Sequence, residues 1–309
     1  RKFAYHTAVI VLGIISSIAV YFFLKRVVPG LGKAACFLSP LIILSSSQGG
    51  QIFNRLPIPA AVGVSLLLIL LYDFYKRPIL LHFFYAVLLF WYVIFLGTFQ
   101  NFGVIVSIGF VFTIFYCIYY NDSWKNIFSK YLLIVFIGGF GTIILGFWEM
   151  YSIAIDFFSV EYLREKVYLR NWEILPNIKA IGQNLLSFFQ FYSIPLNVHF
   201  LGLGWRPFYY SWNITPIFPL VFVFFLFHRS TDFWEYSLKR LLAVFYISGL
   251  LLPLFPVVSS TLSFIAVKSQ TLIDFYGHSW SWFILPVQIG LIGVFLVKVK
   301  NNDYKIKNI

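Results

Sequence analysis

Charged and sulfur-containing residues are scarce in this sequence. Only 11% of the 309 residues are charged, and the chain holds two cysteines and a single methionine. A soluble domain carries about 25% charged residues, so the composition excludes an ordinary soluble protein. We expect no structural disulfide, because the predicted topology below places Cys36 and Cys117 at the cytoplasmic ends of their spans. Both cysteines are predicted to pack in the core.

The familiar patterns of metal and nucleotide sites are also missing. The sequence has no His-x-x-x-His, no paired cysteines, no Glu-x-x-His and no Gly-rich phosphate loop. The stretch "GGFG" (Gly138–Gly141) lies inside an apolar run, where small residues let helices approach closely. We therefore predict helix packing there and assign no metal ligand.

Apolar residues make up 60% of the chain and aromatic residues 22%, with a mean hydropathy of +0.85. This composition predicts an all-α, polytopic transmembrane bundle, since only helices and closed barrels satisfy their backbone groups in lipid. The single methionine, Met150, leads us to expect that residues 1–309 are one transmembrane domain and the C-terminal portion of a longer protein. About nine apolar runs are predicted as spans: Phe3–Leu24, Ala34–Leu44, Ala60–Tyr72, Ile79–Leu96, Gly103–Tyr120, Tyr131–Phe147, Ile214–Phe227, Leu241–Val258 and Phe283–Val297.

The net charge of +12 is explained by the membrane and not by nucleic acid, because the basic residues cluster at the ends of apolar runs. Alternate connections contain 14 of them and are predicted to be cytoplasmic. The intervening connections, Ser45–Pro59, Gly97–Phe102, Trp148–Asn213 and Ser259–Trp282, are predicted to lie outside. The 14 residues are Lys25, Arg26, Lys33, Lys76, Arg77, Lys125, Lys130, Arg229, Lys239, Arg240, Lys298, Lys300, Lys305 and Lys307.

The longest external segment, Trp148–Asn213, alternates apolar and polar residues at helical spacing. Its pattern predicts amphipathic helices at the membrane interface. Two interpretations stay open. The helices either cover the outer end of the bundle or form a roof over a cavity, in which case Arg164, Lys166 and Arg170 are candidates to bind an anionic lipid head group.

Aromatic residues follow in "HFLGLGWRPFYYSWNITP", where Trp205 adjoins Arg206. An aromatic belt at the interface explains them, and so does sugar stacking or a lid over a lipid-linked substrate. Most tryptophans fall in the predicted external segments. We therefore expect the functional site on that face.

The polar stretch "SSSQGGQIFNRLPIP", Ser45–Pro59, separates two unusually short apolar runs. Irregular backbone at membrane depth is tolerated only where it is buried in protein or lines a wet cavity. Gln48, Gln51, Asn54 and Arg55 are therefore candidates to line a polar cavity open to the outside. An ordinary polar turn is the alternative.

The layout resembles that of a known family. A short polar break follows the second span, a long amphipathic segment follows "GFWEMYSIAIDFFS", and "QNLLSFFQFYSIPLNVHFLGLGWRPFYYSWNITPIFPLVF" leads into another span. Together these features resemble the YfhO-type bacterial membrane proteins of the GT-C glycosyltransferase superfamily. The resemblance covers most of the chain as layout and not as residue identity.

The resemblance implies a multi-pass protein of the bacterial cytoplasmic membrane, with transfer of a sugar from a polyprenyl-phosphate carrier on the outer face. Cell-envelope polysaccharide, lipid or teichoic acid is the implied product. The family's acidic catalytic residue would precede Arg1, so we carry over no catalytic residue and leave a divalent metal cofactor open. External basic residues are candidates to bind the lipid phosphate, namely Arg55, Arg164, Lys166, Arg170 and Arg206. Glu149 and Glu161 are conceivable acceptor-activating acids.

Other functions stay open. A polysaccharide polymerase or ligase would use the same arginines and a lipid-linked substrate. A lipid or polysaccharide transporter is the main rival, although the predicted span cores contain only His6, His82 and Gln288 as conspicuous polar groups. Because ion coupling usually requires ionisable groups within the membrane, we expect such a transporter not to be ion-coupled. A purely structural subunit is the third possibility.

Overall fold

The computed structural model describes residues 2–41, 57–97, 99–149, 151, 218–251 and 285–301. Helix accounts for 89% of the described residues, and no strand occurs among them, so the prediction of an all-α fold is confirmed for this part of the chain. The helices are α1 (Lys2–Val27), α2 (Ala34–Leu38), α3 (Pro57–Lys76), α4 (Leu80–Tyr92), α5 (Phe99–Tyr120), α6 (Trp124–Leu145), α7 (Phe218–Phe227), α8 (Phe233–Leu251) and α9 (285–300).

Three helices are long and apolar enough to cross a membrane. The qualifying stretches are Ile10–Val27 in α1, Phe102–Tyr120 in α5 and Trp124–Leu145, which is the whole of α6. Each also exposes large apolar side chains, such as Phe22 and Phe136, which are 58% and 70% exposed. These features indicate a membrane protein, since such surfaces suit lipid better than water.

Helix α3 is longer than its predicted apolar run, Ala60–Tyr72. It begins at Pro57 and ends at Lys76, a length of 20 residues, which spans about 30 Å. A proline fits the first turn of a helix because the backbone N–H that it lacks has no partner there. The end of the predicted polar break, Pro57–Pro59, is therefore helical.

The connection that we predicted at Gly97–Phe102 is shorter than expected. A π-helical segment, Val93–Gly97, continues directly from α4, and α5 already begins at Phe99. Helical structure thus covers most of this connection. The connection is shorter than its predicted bounds because hydrogen-bonded turns extend past the apolar residues at both ends, and its position outside the membrane stays a prediction.

Close helix packing through glycine is confirmed at "GGFG". A Cβ atom on Gly138 would lie 2.7 Å from the Phe90 ring, and one on Gly141 would lie 2.5 Å from Cγ2 of Val87. In addition, Thr142 donates a hydrogen bond to the backbone oxygen of Val87 at 3.1 Å. These glycines therefore let α6 lie directly against α4.

The five basic connections meet at one end of the helix bundle. Arg26 pairs with Asp73, which joins the last turn of α1 to the end of α3. Lys130 donates to the backbone oxygen of Tyr75 at 3.2 Å, and further contacts link Tyr120 to Phe233 and Lys298 to His228. We call this the basic end. The connections rich in Lys and Arg that the sequence grouped together thus lie at the same end of the described helices.

The two cysteines differ in their surroundings. Both are free thiols, so the prediction that they form no disulfide is confirmed. Cys117 is buried in α5 as expected, but Cys36 is exposed on α2. The prediction of core packing is therefore wrong for Cys36, because α2 buries the neighbouring Ala35 and leaves Cys36 on its exposed side.

Candidate functional site

All eight site residues predicted from the sequence lie outside the described part of the chain. The same holds for the predicted amphipathic helices between residues 152 and 213, and for Glu161. Glu149, the other conceivable acid, is exposed just beyond the end of α6 that lies away from the basic end. The eight residues are Gln48, Asn54, Arg55, Arg164, Lys166, Arg170, Trp205 and Arg206.

The described part contains a different candidate, a buried charge cluster at the basic end. Its acidic member, Glu235, lies in the first turn of α8 and is completely buried. Its neighbours are Lys298 at the end of α9 and His228 directly after α7, both of them less than 10% exposed. We call these three residues the Glu235 cluster. It joins three helices in a region where the sequence predicted only a basic connection.

The local sequence "TDFWE" explains how Glu235 comes to be inside. The side chain of Asp232 accepts a hydrogen bond from the backbone N–H of Glu235 at 2.9 Å, the usual bond between an N-cap residue and the third residue of a helix. This cap starts α8 at Phe233 instead of at Leu241, where the apolar run begins. Glu235 and Lys239 therefore lie on helical turns and not in a loop.

One oxygen of Glu235 is fully engaged. Its Oε2 accepts hydrogen bonds from the backbone N–H and the hydroxyl of Thr231, both at 3.0 Å. The Lys298 Nζ also lies 3.0 Å from Oε2. Three donors therefore converge on a single carboxylate oxygen. The pair Glu235–Lys298 thus ties the end of α9 to the turn between α7 and α8.

The other oxygen of Glu235 faces His228. The distance between Oε1 and the His228 Nδ1 is 3.3 Å, but within the described part Oε1 is buried without a hydrogen bond of regular geometry. The Lys298 Nζ is also 3.3 Å from the same Nδ1. One ring nitrogen cannot donate to the carboxylate and accept from the ammonium at once. The position of a single proton therefore decides which contact forms.

Lys239 adds a second cation next to the cluster. It donates a hydrogen bond to the backbone oxygen of His228 at 2.8 Å, which satisfies a carbonyl group at the end of α7. Burial lowers the pKa of the Lys239 ammonium from its usual value, and the nearby Glu235 carboxylate acts in the opposite direction. Lys239 precedes the apolar part of α8 and links this helix to the end of α7.

Aromatic rings pack directly beside the Glu235 cluster. The ring of Trp234 lies 4.7 Å from that of Tyr72 and 6.4 Å from that of Phe23, measured between centroids. Lys76 lies over the Tyr72 ring, with its Nζ 4.3 Å from the ring centroid. Rings from four helices thus converge here. They are Phe23 of α1, Tyr72 of α3, Phe112, Tyr116, Tyr119 and Tyr120 of α5, and Phe233 and Trp234 of α8.

The tryptophans of the predicted external face lie almost entirely outside the described part of the chain. The tryptophan positions led us to expect the aromatic weight, and with it the site, on the external face. Of these external tryptophans only Trp148 is described, so that expectation stays a prediction. The ring group at the basic end is a separate one, in which tyrosines and phenylalanines of α3, α5 and α8 join Trp234.

The Glu235 cluster is suited to holding α7, α8 and α9 together. It offers no metal site, since the described ranges contain no group of three or more His, Cys, Asp or Glu side chains that could hold a metal ion. Comparison of the chain with protein-family models, with curated proteins and with solved structures finds no match. The arguments about function therefore depend on the residues themselves.

Proposed function

We propose that the protein is a multi-pass protein of a bacterial cytoplasmic membrane, with about nine spans and its basic end in the cytoplasm. The observation that carries this orientation is the meeting of five basic connections at one end of the bundle. Short connections rich in Lys and Arg are retained on the cytoplasmic side of a membrane. The polar connections between the opposite helix ends are then external.

We further propose that the external side acts as a GT-C-like glycosyltransferase on a polyprenyl-phosphate-linked sugar. Support comes from the resemblance in layout and from the types of residue in the external segments. Arg55, Arg164, Arg170 and Arg206 carry planar guanidinium groups, which match two phosphate oxygens at once. Glutamines, asparagines and Trp205 add hydrogen-bonding and stacking groups suited to a sugar.

The proposed reaction breaks the bond between the anomeric carbon of the sugar and the phosphate oxygen of the carrier. The acceptor hydroxyl attacks that carbon while a carboxylate takes up its proton. Polyprenyl phosphate leaves with the bonding electron pair, and arginines stabilise its developing negative charge. The products are the glycosylated acceptor and the free lipid phosphate.

Arg55 provides the sharpest test of this proposal. The full chain in proteoliposomes should bind polyprenyl phosphate, and Arg55→Lys should weaken that binding about tenfold while the protein stays folded, because an ammonium does not reproduce the bidentate contact. Arg77→Lys, at the basic end, is the matched control and should bind as the wild type does. Full binding by Arg55→Lys, or no sugar transfer from a radiolabelled carrier by the wild type, would refute the proposal.

Transport of a lipid-linked sugar or a polysaccharide is the second candidate function. Ionisable groups within the membrane usually mark ion-coupled transport, but the Glu235 cluster lies at the basic end and outside the predicted span cores, so this candidate is limited to transport without ion coupling. A polymerase or ligase would share the external arginines. Movement of a labelled lipid across the proteoliposome without an acceptor would favour the transporter, whereas acceptor-dependent loss of the labelled sugar from its carrier would favour the enzyme.

A further inference from the structure

Arg240 lies on an aromatic platform at the basic end. Its guanidinium is 3.6 Å from the centroid of the Tyr236 ring, one turn earlier in α8. That ring contacts Tyr119 of α5, with 5.0 Å between the centroids, and Phe115 of α5, with 6.5 Å. Stacking on a ring uses the face of the guanidinium and leaves its N–H groups free at the edge.

Arg240 is exposed and has no acidic partner. Across the described ranges the ion pairs involve Asp73 and Glu235, and neither of them is paired with Arg240. A stacked guanidinium has already lost part of its side-chain freedom, so binding an anion costs less ordering entropy. Arg240 is therefore a preorganised cation that is open to a ligand.

An exposed apolar stripe continues from Arg240 along α8. Val244 and Ile247 follow at helical spacing and are 38% and 57% exposed. On the adjacent α5, Tyr119 is 38% exposed and Ile118 53% exposed. A cation stacked on aromatic rings, next to an apolar stripe, complements a phospholipid. The cation suits the anionic head group, the rings suit the polar boundary, and the stripe suits an acyl chain.

The surrounding charge selects an anionic ligand. Among the described residues at the basic end, 12 are basic and four are acidic, and three of the four acidic residues already bind protein groups. The surplus of positive charge attracts anionic head groups within a Debye length of the surface. The basic residues are Lys25, Arg26, Lys33, Lys76, Arg77, Lys125, Lys130, Arg229, Lys239, Arg240, Lys298 and Lys300, and the acidic ones are Asp73, Asp122, Asp232 and Glu235.

We propose that the face formed by Arg240, Tyr236 and Tyr119 binds a phospholipid with an anionic head group. The lipid phosphate contacts the edge of the Arg240 guanidinium, and an acyl chain lies along Val244 and Ile247. The partner is a bilayer lipid at the basic end. It is distinct from the lipid-linked sugar proposed for the opposite side, and this inference does not depend on that function.

Native mass spectrometry of the full chain in detergent, titrated with phosphatidylglycerol or phosphatidylcholine, tests this site. Arg240→Gln should weaken phosphatidylglycerol binding about fivefold, the amount expected for one basic residue near a charged lipid surface. Arg240→Lys keeps the charge but loses the planar stack, and should give an intermediate affinity. Binding of phosphatidylcholine should be weaker than that of phosphatidylglycerol and should change less in both variants.

Arg77→Gln is the matched control, because Arg77 is equally a cation at the basic end and is exposed. It should bind phosphatidylglycerol within about twofold of the wild type, since binding depends on the local platform. An equal loss in Arg77→Gln and Arg240→Gln would show diffuse charge attraction and overturn the site. Wild-type affinity in Arg240→Gln, or equal losses for both lipids, would overturn it as well.

Discussion

Lys298 and Glu235 form a buried ion pair between α9 and α8, with 3.0 Å between Nζ and Oε2 and side-chain exposures of 7% and 0%. A buried pair of this kind contributes little net stability compared with apolar residues, because both charges have left water. Replacing only one partner of the pair is destabilising, because the remaining charge stays buried without compensation.

We expect Lys298→Met to lower the free energy of unfolding by about 3–5 kcal/mol, because it leaves the Glu235 carboxylate buried without its ammonium partner. The double variant Glu235→Met with Lys298→Met should recover most of that loss. Chemical denaturation in detergent micelles measures both values.

Lys300→Met serves as the control for that experiment. Lys300 is exposed near the same helix end, and substitutions at such positions usually change stability by less than about 0.5 kcal/mol. If Lys298→Met is as stable as Lys300→Met, then the ion pair does not exist in the folded protein.

The Glu235 cluster shows what hydropathy alone misses. The predicted span began at Leu241, because Glu235, Lys239 and Arg240 lower the hydropathy of the preceding turns. The signal was nevertheless present in "TDFWE", where Asp232 and Glu235 have the spacing of a capping box. Reading that cap would have placed Glu235 in a helix. Its pairing with Lys298 depends on tertiary packing, which no local pattern contains.

The proton on His228 is expected on Nδ1. If Nδ1 accepted from Lys298, Oε1 of Glu235 would be left without a donor, at a cost of about 1–3 kcal/mol. If Nδ1 donates to Oε1, Lys298 still keeps its contact with Oε2. Nitrogen-15 NMR of histidine-labelled protein at neutral pH should therefore show a protonated Nδ1 for His228.

Assignment of that signal requires one variant. The chain has five histidines, so His228→Gln should remove one resonance and identify it. A His228 resonance with an unprotonated Nδ1 would mean that the ring accepts from Lys298 and that the carboxylate oxygen is satisfied in another way.

Glycine packing between α4 and α6 allows a stability test away from any charge. A Cβ atom on Gly141 would lie 2.5 Å from Cγ2 and 3.2 Å from Cγ1 of Val87, a β-branched side chain with little rotamer freedom. Gly141→Ala should therefore destabilise the protein by about 1–3 kcal/mol, as measured by thermal unfolding in detergent.

Gly103 provides the comparison, because a Cβ atom there would meet nothing within 4 Å. It lies inside α5, where alanine is favoured over glycine by about 1 kcal/mol. Gly103→Ala should thus be neutral or stabilising. Equal effects of the two substitutions would show that α4 and α6 are not in close contact.

The basic end, unlike the Glu235 cluster, could be predicted from the sequence pattern. Alternation of Lys and Arg grouped five connections, and contacts such as Arg26 with Asp73 and Lys130 with Tyr75 join them in the structure. Lys and Arg recur in every second connection, because the membrane constrains which connections carry positive charge. This grouping can therefore be predicted without knowledge of the tertiary packing. The sequence predicted the helix bounds less accurately, because caps and prolines extend helices beyond their apolar residues.

The orientation of these two ends is the last prediction. Asn126 lies exposed in the first turns of α6 at the basic end, and Glu149 lies exposed beyond the other end of the same helix. In a background with Cys36→Ser and Cys117→Ala, an impermeant maleimide applied to intact cells should label Glu149→Cys. Asn126→Cys should react only after permeabilisation, because moving the surrounding lysines and arginines across the bilayer is unfavourable.

The two introduced cysteines mark opposite ends of α6, one in its first turns and the other just beyond its last residue, which makes the comparison internal. An α6 that crosses the membrane must present its two ends to different compartments, so one label in intact cells and one after permeabilisation is the expected pattern. Equal labelling at both positions would show that α6 does not span. Labelling of Asn126→Cys alone in intact cells would invert the topology, and Arg55, Arg164 and Arg206 would then be cytoplasmic. The proposed transfer on the outer face would be refuted by that result.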